Sequence, residues 1–154
     1  MLFWLIPLVL LALLSPLFWL LPKAGQSQRM QLRLSARQMG LSMQLAPASW
    51  PHWMTDAPCP CPLYQRPRKT ASGLCGVYWQ VSPSNWQNQW REPCVDNNWL
   101  SLLQPLPEDV YKIEADSQQV SIYWGERSGL AGLEKIAGAL KTLTAASDAS
   151  PTAV

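Results

Sequence analysis

Apolar positions run without interruption at the start of the chain: residues 1–22 hold no charged side chain and ten leucines. A helix of that length, at about 1.5 Å per residue, spans roughly 33 Å, close to the hydrocarbon thickness of a bilayer. The pattern predicts an N-terminal transmembrane helix. A cleavable signal peptide is the rival reading, but it needs a basic leading segment and a small-x-small cleavage site. No Lys or Arg precedes the run and Pro22-Lys23-Ala24-Gly25 is a poor site, so a retained anchor is expected. Trp4 and Trp19 suit the two headgroup belts, and Pro16 predicts a kink.

Beyond the run the periodicity changes. Residues 29–39 are mostly good helix formers and Gly40 is a natural stop, which predicts a helix within 23–40. Leu41, Met43 and Leu45 alternate with polar residues as a short strand before Pro47. Pro47, Pro51, Pro58, Pro60, Pro62 and Pro67 then exclude long elements, apart from a strand near 63–65. Val77, Tyr78 and Trp79 predict a firmer strand over 74–81, closed by Pro83. Residues 84–90 predict a helical turn with Ser84 as its cap, and 99–103 form a short apolar segment. Two β-rich runs, 110–115 and 120–124, flank Asp116-Ser117-Gln118-Gln119 and predict a hairpin. Leu130, Leu133, Ile136, Ala137, Leu140 and Leu143 recur at helical spacing on an arc of about 140°, with Ser128 as candidate N-cap. That helix is expected to pack on the hairpin.

The expected fold is α+β: an N-terminal transmembrane helix followed by a small domain with a short antiparallel sheet and a C-terminal packing helix. The divisions are a span at 1–22, a basic juxtamembrane helix at 23–40, the domain at 41–143 and a disordered tail at 144–154.

Charge assigns an orientation to this layout. Lys23, Arg29, Arg33 and Arg37 follow the apolar run, and no acidic residue precedes Asp56. Basic residues beside a span stay cytoplasmic, which predicts a single-pass protein of the bacterial inner membrane with its domain in the cytoplasm. Arg29, Arg33 and Arg37 recur every four positions as a stripe along one side of a helix. With Lys23 they are the candidate contacts to anionic lipid headgroups, each contributing about 1 kcal/mol at most. A net charge of +2, with no basic recognition helix, argues against nucleic acid. The lipid bilayer and another membrane protein are the expected partners. Arg66, Arg68 and Lys69 form a second basic patch, on the same surface or in a solvated loop.

Nine tryptophans and fourteen prolines mark an aromatic, loop-rich middle region. The rings either fill the core of a domain poor in Phe and Ile or present a platform to sugars, peptides or bases, and core is the expectation for most. Cys59, Cys61, Cys75 and Cys94 are the one cluster with chemical potential: two disulfides, a zinc site, or buried and free thiols. Prolines around Cys59 and Cys61 favour polyproline II, where side chains two apart diverge by about 120°, so thiols are favoured over zinc. His52, the sole histidine, is expected to be a packed or surface residue and not a general base. Glu108, Asp109, Glu114 and Asp116 are expected in solvated turns. No G-x-S-x-G, C-x-x-C, H-E-x-x-H or phosphate-cradling glycine loop occurs. No catalytic residue, cofactor or metal is therefore assigned, and a membrane-anchored, non-enzymatic accessory or interaction role is expected. A periplasm-facing, Trp-rich binding domain with disulfides and a zinc-binding protein are the alternatives.

The opening layout, an apolar run, Leu20-Leu21-Pro22-Lys23 and a basic polar stretch through Arg37, resembles YajC, the accessory subunit of the bacterial Sec translocase. The resemblance covers roughly the first quarter of the chain and implies one span, a cytoplasmic basic flank, a small β-containing domain and no catalytic residues. That family's glycine-rich strand region has no counterpart here. Ala36-Arg37-Gln38-Met39-Gly40-Leu41, Trp50-Pro51-His52-Trp53, Trp90-Arg91-Glu92-Pro93-Cys94 and Tyr123-Trp124-Gly125-Glu126 are similar to a group of uncharacterised bacterial inner-membrane proteins, some of which carry the translocase label. No functional residue is transferred from either.

Overall fold

The first complete element begins where the apolar run ends. The structure, a computed structural model, describes residues 6–7, 9–10, 24–69 and 74–145. Helix α1 (Ala24–Gln38) is rich in Gln and Arg and buries Leu32 and Ala36, four apart on one side. It stops at Gly40, whose φ of +78° suits a residue without a Cβ. There the Leu41 N–H donates to the Ala36 carbonyl and the Gly40 N–H to the Arg37 carbonyl, each at 3.0 Å, capping the last turn. Leu41 follows directly into the core.

Six strands come next: β1 (Ser42–Ala46), β2 (Cys61–Pro67), β3 (Gly76–Ser82), β4 (Asn85–Gln87), β5 (Val110–Ala115) and β6 (Gln119–Trp124). Helix α2 (Asn97–Leu103) separates β4 from β5, and α3 (Gly129–Ala145) follows β6. The strands pair antiparallel in the order β1-β2-β6-β5-β3-β4, so the hairpin expected from the sequence is the centre of the sheet. Its turn is fastened by Asp116, whose carboxylate accepts from the Gln118 and Gln119 N–H groups at 2.7 and 2.8 Å.

Tyr64, Ile122, Ile113 and Tyr78 stand opposite one another across β2, β6, β5 and β3. The two-residue period of a strand therefore puts them on one face, and this is the face that receives the helices. Helix α3 buries Leu133, Ile136, Leu140 and Leu143 against it. Each such side chain contributes about 1.5–3 kcal/mol, which holds the helix in place. The other face carries Leu63, Tyr123, Lys112 and Trp79 in one cross-strand row. The proline-rich connection between β1 and β2 lies over this row, with Trp50 edge-on to Tyr111 and Tyr123 and Trp53 edge-on to Trp79.

Several expectations are corrected by this architecture. Among the described residues no helix is long and apolar enough to cross a membrane, which overturns the N-terminal transmembrane helix of the expected fold. A span takes about 20 apolar residues. Helices α1, α2 and α3 have 15, 7 and 17 residues, and each buries apolar side chains in the core of the sheet domain. Of the expected span at 1–22, residues 6, 7, 9 and 10 are described and are helical; the others lie outside the described residues. The single-pass inner-membrane placement with a cytoplasmic domain was argued from that span and falls with it. The sheet is wider than the short one expected. Residues 84–90 form no helical turn: Ser84, at φ +62°, turns the chain from β3 into β4. The apolar segment near 99–103 is helical because Asp96 caps it, accepting from the Asn98 N–H at 2.8 Å. Leu130 is 52% exposed, so the buried arc of α3 begins at Gly132. The expected tail at 144–154 lies outside the described residues from 146 onward, and Thr144 and Ala145 close α3.

Gly132 lies where α3 passes Ser128 and Trp124. A Cβ built there overlaps Ser128 Oγ and meets the Trp124 ring at 3.0 Å, whereas one at Gly138 meets nothing within 4 Å. Gly132→Ala is expected to destabilise the protein despite alanine's better helix propensity, and Gly138→Ala to stabilise it by about 0.5–1 kcal/mol. Urea unfolding of the two variants checks this; equal gains at both positions would contradict the packing of α3.

Candidate functional site

The arginine stripe of α1 is divided by the fold. Arg33 turns inward and makes a two-pronged ion pair, Nε and Nη2 donating to the two carboxylate oxygens of Glu126 at 2.9 Å each. The Glu126 side chain is only 1% exposed, and it also accepts from the Tyr64 hydroxyl at 2.8 Å. Glu126 has a φ of +59°, unusual for a residue with a Cβ, and this backbone turn between β6 and α3 aims the carboxylate at α1. Hydrogen bonding to Glu126 raises the Arg33 pKa, so the guanidinium stays charged. Burial, then the hydrogen bond to Glu126, pushes the Tyr64 phenol up, so it stays a donor.

Arg29 and Arg37 are exposed and have no ion-pair partner among the described residues. Lys23 lies outside the described residues. Between and beside these arginines stand Met30, 66% exposed, and Leu34, 50% exposed. A surface groove of about 570 Å³ runs along this side of α1, lined by Gln26, Arg29, Met30, Arg33, Leu34 and Arg37. A second groove, about 610 Å³, lies between α1 and the start of α3 and is lined in part by Arg29, Arg127, Leu32 and Leu130. Arg29 borders both. Neither Arg127 nor Glu126 was marked by sequence reasoning, because the pair that brings them to α1 joins residues 93 positions apart.

Asp109 is a third, expected in a solvated turn but buried. It accepts from the Arg127 N–H at 2.6 Å, the Ser128 N–H at 3.0 Å and the Ser128 hydroxyl at 2.6 Å. Ser128 Oγ in turn accepts from the Trp124 indole N–H at 3.1 Å. Ser128 is thus occupied by Asp109 and Trp124, and Asp109 supplies the negative charge at the start of α3. With both carboxylate oxygens spent on the backbone and hydroxyl of one turn, this Ser-Asp contact is a latch and not a nucleophile with its base. It also fixes the backbone of Arg127 beside the second groove.

The remaining candidates are dispersed. Cys59 and Cys75 are exposed, Cys61 and Cys94 buried. Burial pushes the Cys61 thiol up to about 12, which keeps it protonated and a poor metal ligand. Among the described residues no group of three or more His, Cys, Asp or Glu side chains is placed to hold a metal ion. Cys61 already belongs to β2, so the expected polyproline segment stops short of it. Arg68 is buried, with Nη1 donating to Cys75 Sγ at 3.6 Å. His52 is exposed. Trp79, Trp86, Trp99 and Trp124 are buried, Trp50 and Trp53 are half-buried, and Trp90 is 71% exposed.

The Asp109 latch predicts a specific pH dependence. Burial alone would raise this carboxyl, but the hydrogen bonds from Ser128 and Arg127 outweigh it and hold the pKa below the usual value near 3.9. A depressed folded-state pKa contributes stability that is present above about pH 4 and is lost as pH falls through the lowered value. Asp109→Asn is expected to cost roughly 2 kcal/mol at pH 7 and to flatten the loss of stability below pH 4. Thermal melts of both proteins from pH 7 to pH 2.5 check this; unchanged acid slopes would contradict it.

No protein-family model, no curated protein and no solved structure matches the chain, so the chemistry of the site is carried by its own residues.

Proposed function

We propose that the protein is a non-enzymatic interaction domain that binds anionic lipid headgroups peripherally through the outer side of α1 and the adjoining start of α3. The observation that carries this reading is the shared border of the two grooves: Arg29 and Arg127 beside exposed Met30, Leu34 and Leu130. Guanidinium groups take phosphate oxygens in a two-pronged geometry, and neighbouring apolar side chains enter the acyl boundary beneath the headgroups. Arg37 extends the surface by one further turn. Arg33 does not add to it, because its charge is matched by Glu126. Glu126 lines the same groove and is neutralised by that pair, which leaves the surface positive. Contact of this kind needs no helix across the bilayer.

The test is sedimentation of the full-length chain with vesicles of phosphatidylcholine alone and with vesicles containing 30% phosphatidylglycerol. The anionic vesicles are expected to bind it more tightly, and 0.5 M salt to remove the difference. Arg29→Gln with Arg127→Gln should weaken the anionic preference by roughly fivefold per charge, corresponding to about 1 kcal/mol each, while leaving binding to phosphatidylcholine unchanged. Equal binding to both vesicle types would overturn the proposal.

A further inference from the structure

The sheet has two edges, and the chain treats them differently. Along β4 the polypeptide folds back on itself: Gln87 is bridged to Pro93 and the Cys94 N–H donates to the Trp86 carbonyl at 2.9 Å, so that edge is covered. Along β1, the opposite edge, no such return exists among the described residues.

The ladder fixes which backbone groups β1 presents outward. Alternate residues of a strand bond to alternate sides. The Arg68 N–H donates to the Gln118 carbonyl at 2.8 Å, in register with the Arg66–Val120 and Tyr64–Ile122 pairs, so residues 62, 64 and 66 bond toward β6. Residues 61, 63 and 65 then bond toward β1, and their partners there are Ala46, Gln44 and Ser42. Pro62 agrees with this assignment: it stands opposite Leu45 and has no N–H to give it. The N–H and C=O groups of Met43 and Leu45 therefore point away from the sheet. Strand β1 also lacks the devices that blunt an edge, having no charged residue, no proline and no bulge. Ser42 and Gln44 are exposed, and Leu45 is 56% exposed.

We propose that β1 pairs antiparallel with β1 of a second copy of this chain, joining the two sheets into one. A two-fold axis at Gln44 sets Met43 of each protomer opposite Leu45 of its partner. That register uses every outward group, because each of the two Met43–Leu45 pairs exchanges two N–H···O=C bonds. An axis at Met43 or at Leu45 would use half of them. The same register covers the exposed Leu45 side chain with Met43 of the partner, on the face of the sheet that carries the helices, and sets no like charges opposite one another. An unrelated peptide would have to match this spacing and uncharged pattern, whereas a second copy is self-complementary by symmetry.

Gln44 meets itself across the axis as a non-hydrogen-bonded pair, where Cα atoms lie about 4.5 Å apart. It is exposed in the protomer, so its replacement leaves the fold intact. Sedimentation equilibrium of the full-length chain at concentrations up to about 0.2 mM is expected to show a monomer and a dimer in exchange. Gln44→Lys and Gln44→Glu, each alone, should weaken the dimer at least tenfold, because each places like charges in direct opposition. An equimolar mixture of the two variants should regain dimerisation at least as strong as that of the parent chain. A chain that stays monomeric, a dimer indifferent to both substitutions, or a mixture that fails to regain it would overturn the proposal.

Discussion

A carboxylate removed from water must be met by positive charge and hydrogen-bond donors, and Glu126 imposes that condition on the whole fold. Its burial would cost several kcal/mol if unpaired. Two Arg33 nitrogens and the Tyr64 hydroxyl satisfy it together, drawing one contact from α1 and one from β2. The consequence is geometric. Once Arg33 is turned to Glu126, the helix is fixed in rotation: Leu32 and Ala36 enter the core, and Met30 and Leu34 face outward beside Arg29 and Arg37. A helix that supplies both core and exposed apolar surface is thereby explained by one buried charge.

The two faces of the sheet use different means to exclude water. Aliphatic side chains of α3 and α1 cover one face in the usual manner of packed layers. The other is covered by an irregular connection whose prolines prevent regular structure, and tryptophan makes this possible because one ring covers the area of several small side chains. Lys112 shows how polar groups are accommodated there: its ammonium lies 5.0 Å from the Tyr123 ring and 5.5 Å from the Trp79 ring, and it donates to Glu114 at 2.7 Å. Such a face is less uniform than an aliphatic one, and it leaves a cavity of about 290 Å³ beside Trp53.

What was legible in the sequence was what depends on neighbours. The β5–β6 hairpin, the periodic stretch that became α3, and the stop at Gly40 each follow from residues within a few positions of one another. The short strand β4 was misread as a helical turn and the segment that forms α2 was given no state, because these are set by the positive φ of Ser84 and the cap at Asp96, which hydrophobic pattern does not encode. Asp109 and Glu126 were unremarkable as letters. Their meaning comes from Ser128, 19 positions away, and Arg33, 93 positions away. The arginine stripe is the most instructive case: its spacing indicated one helical side, but not that the middle member would be withdrawn to neutralise a buried acid. The leucine-rich start suggested a membrane span on hydropathy alone, whereas among the described residues no helix is long and apolar enough to cross a membrane.

The claim that Arg33 and Glu126 set the rotation of α1 is tested most directly by a double-mutant cycle. Unfolding free energies would be measured for the full-length chain, Arg33→Met, Glu126→Gln and the double variant. A two-pronged pair made to a buried carboxylate predicts a large loss in Arg33→Met, much of it recovered in the double variant, and a coupling energy of about 2 kcal/mol. A coupling near zero, as for an exposed ion pair, would contradict the account.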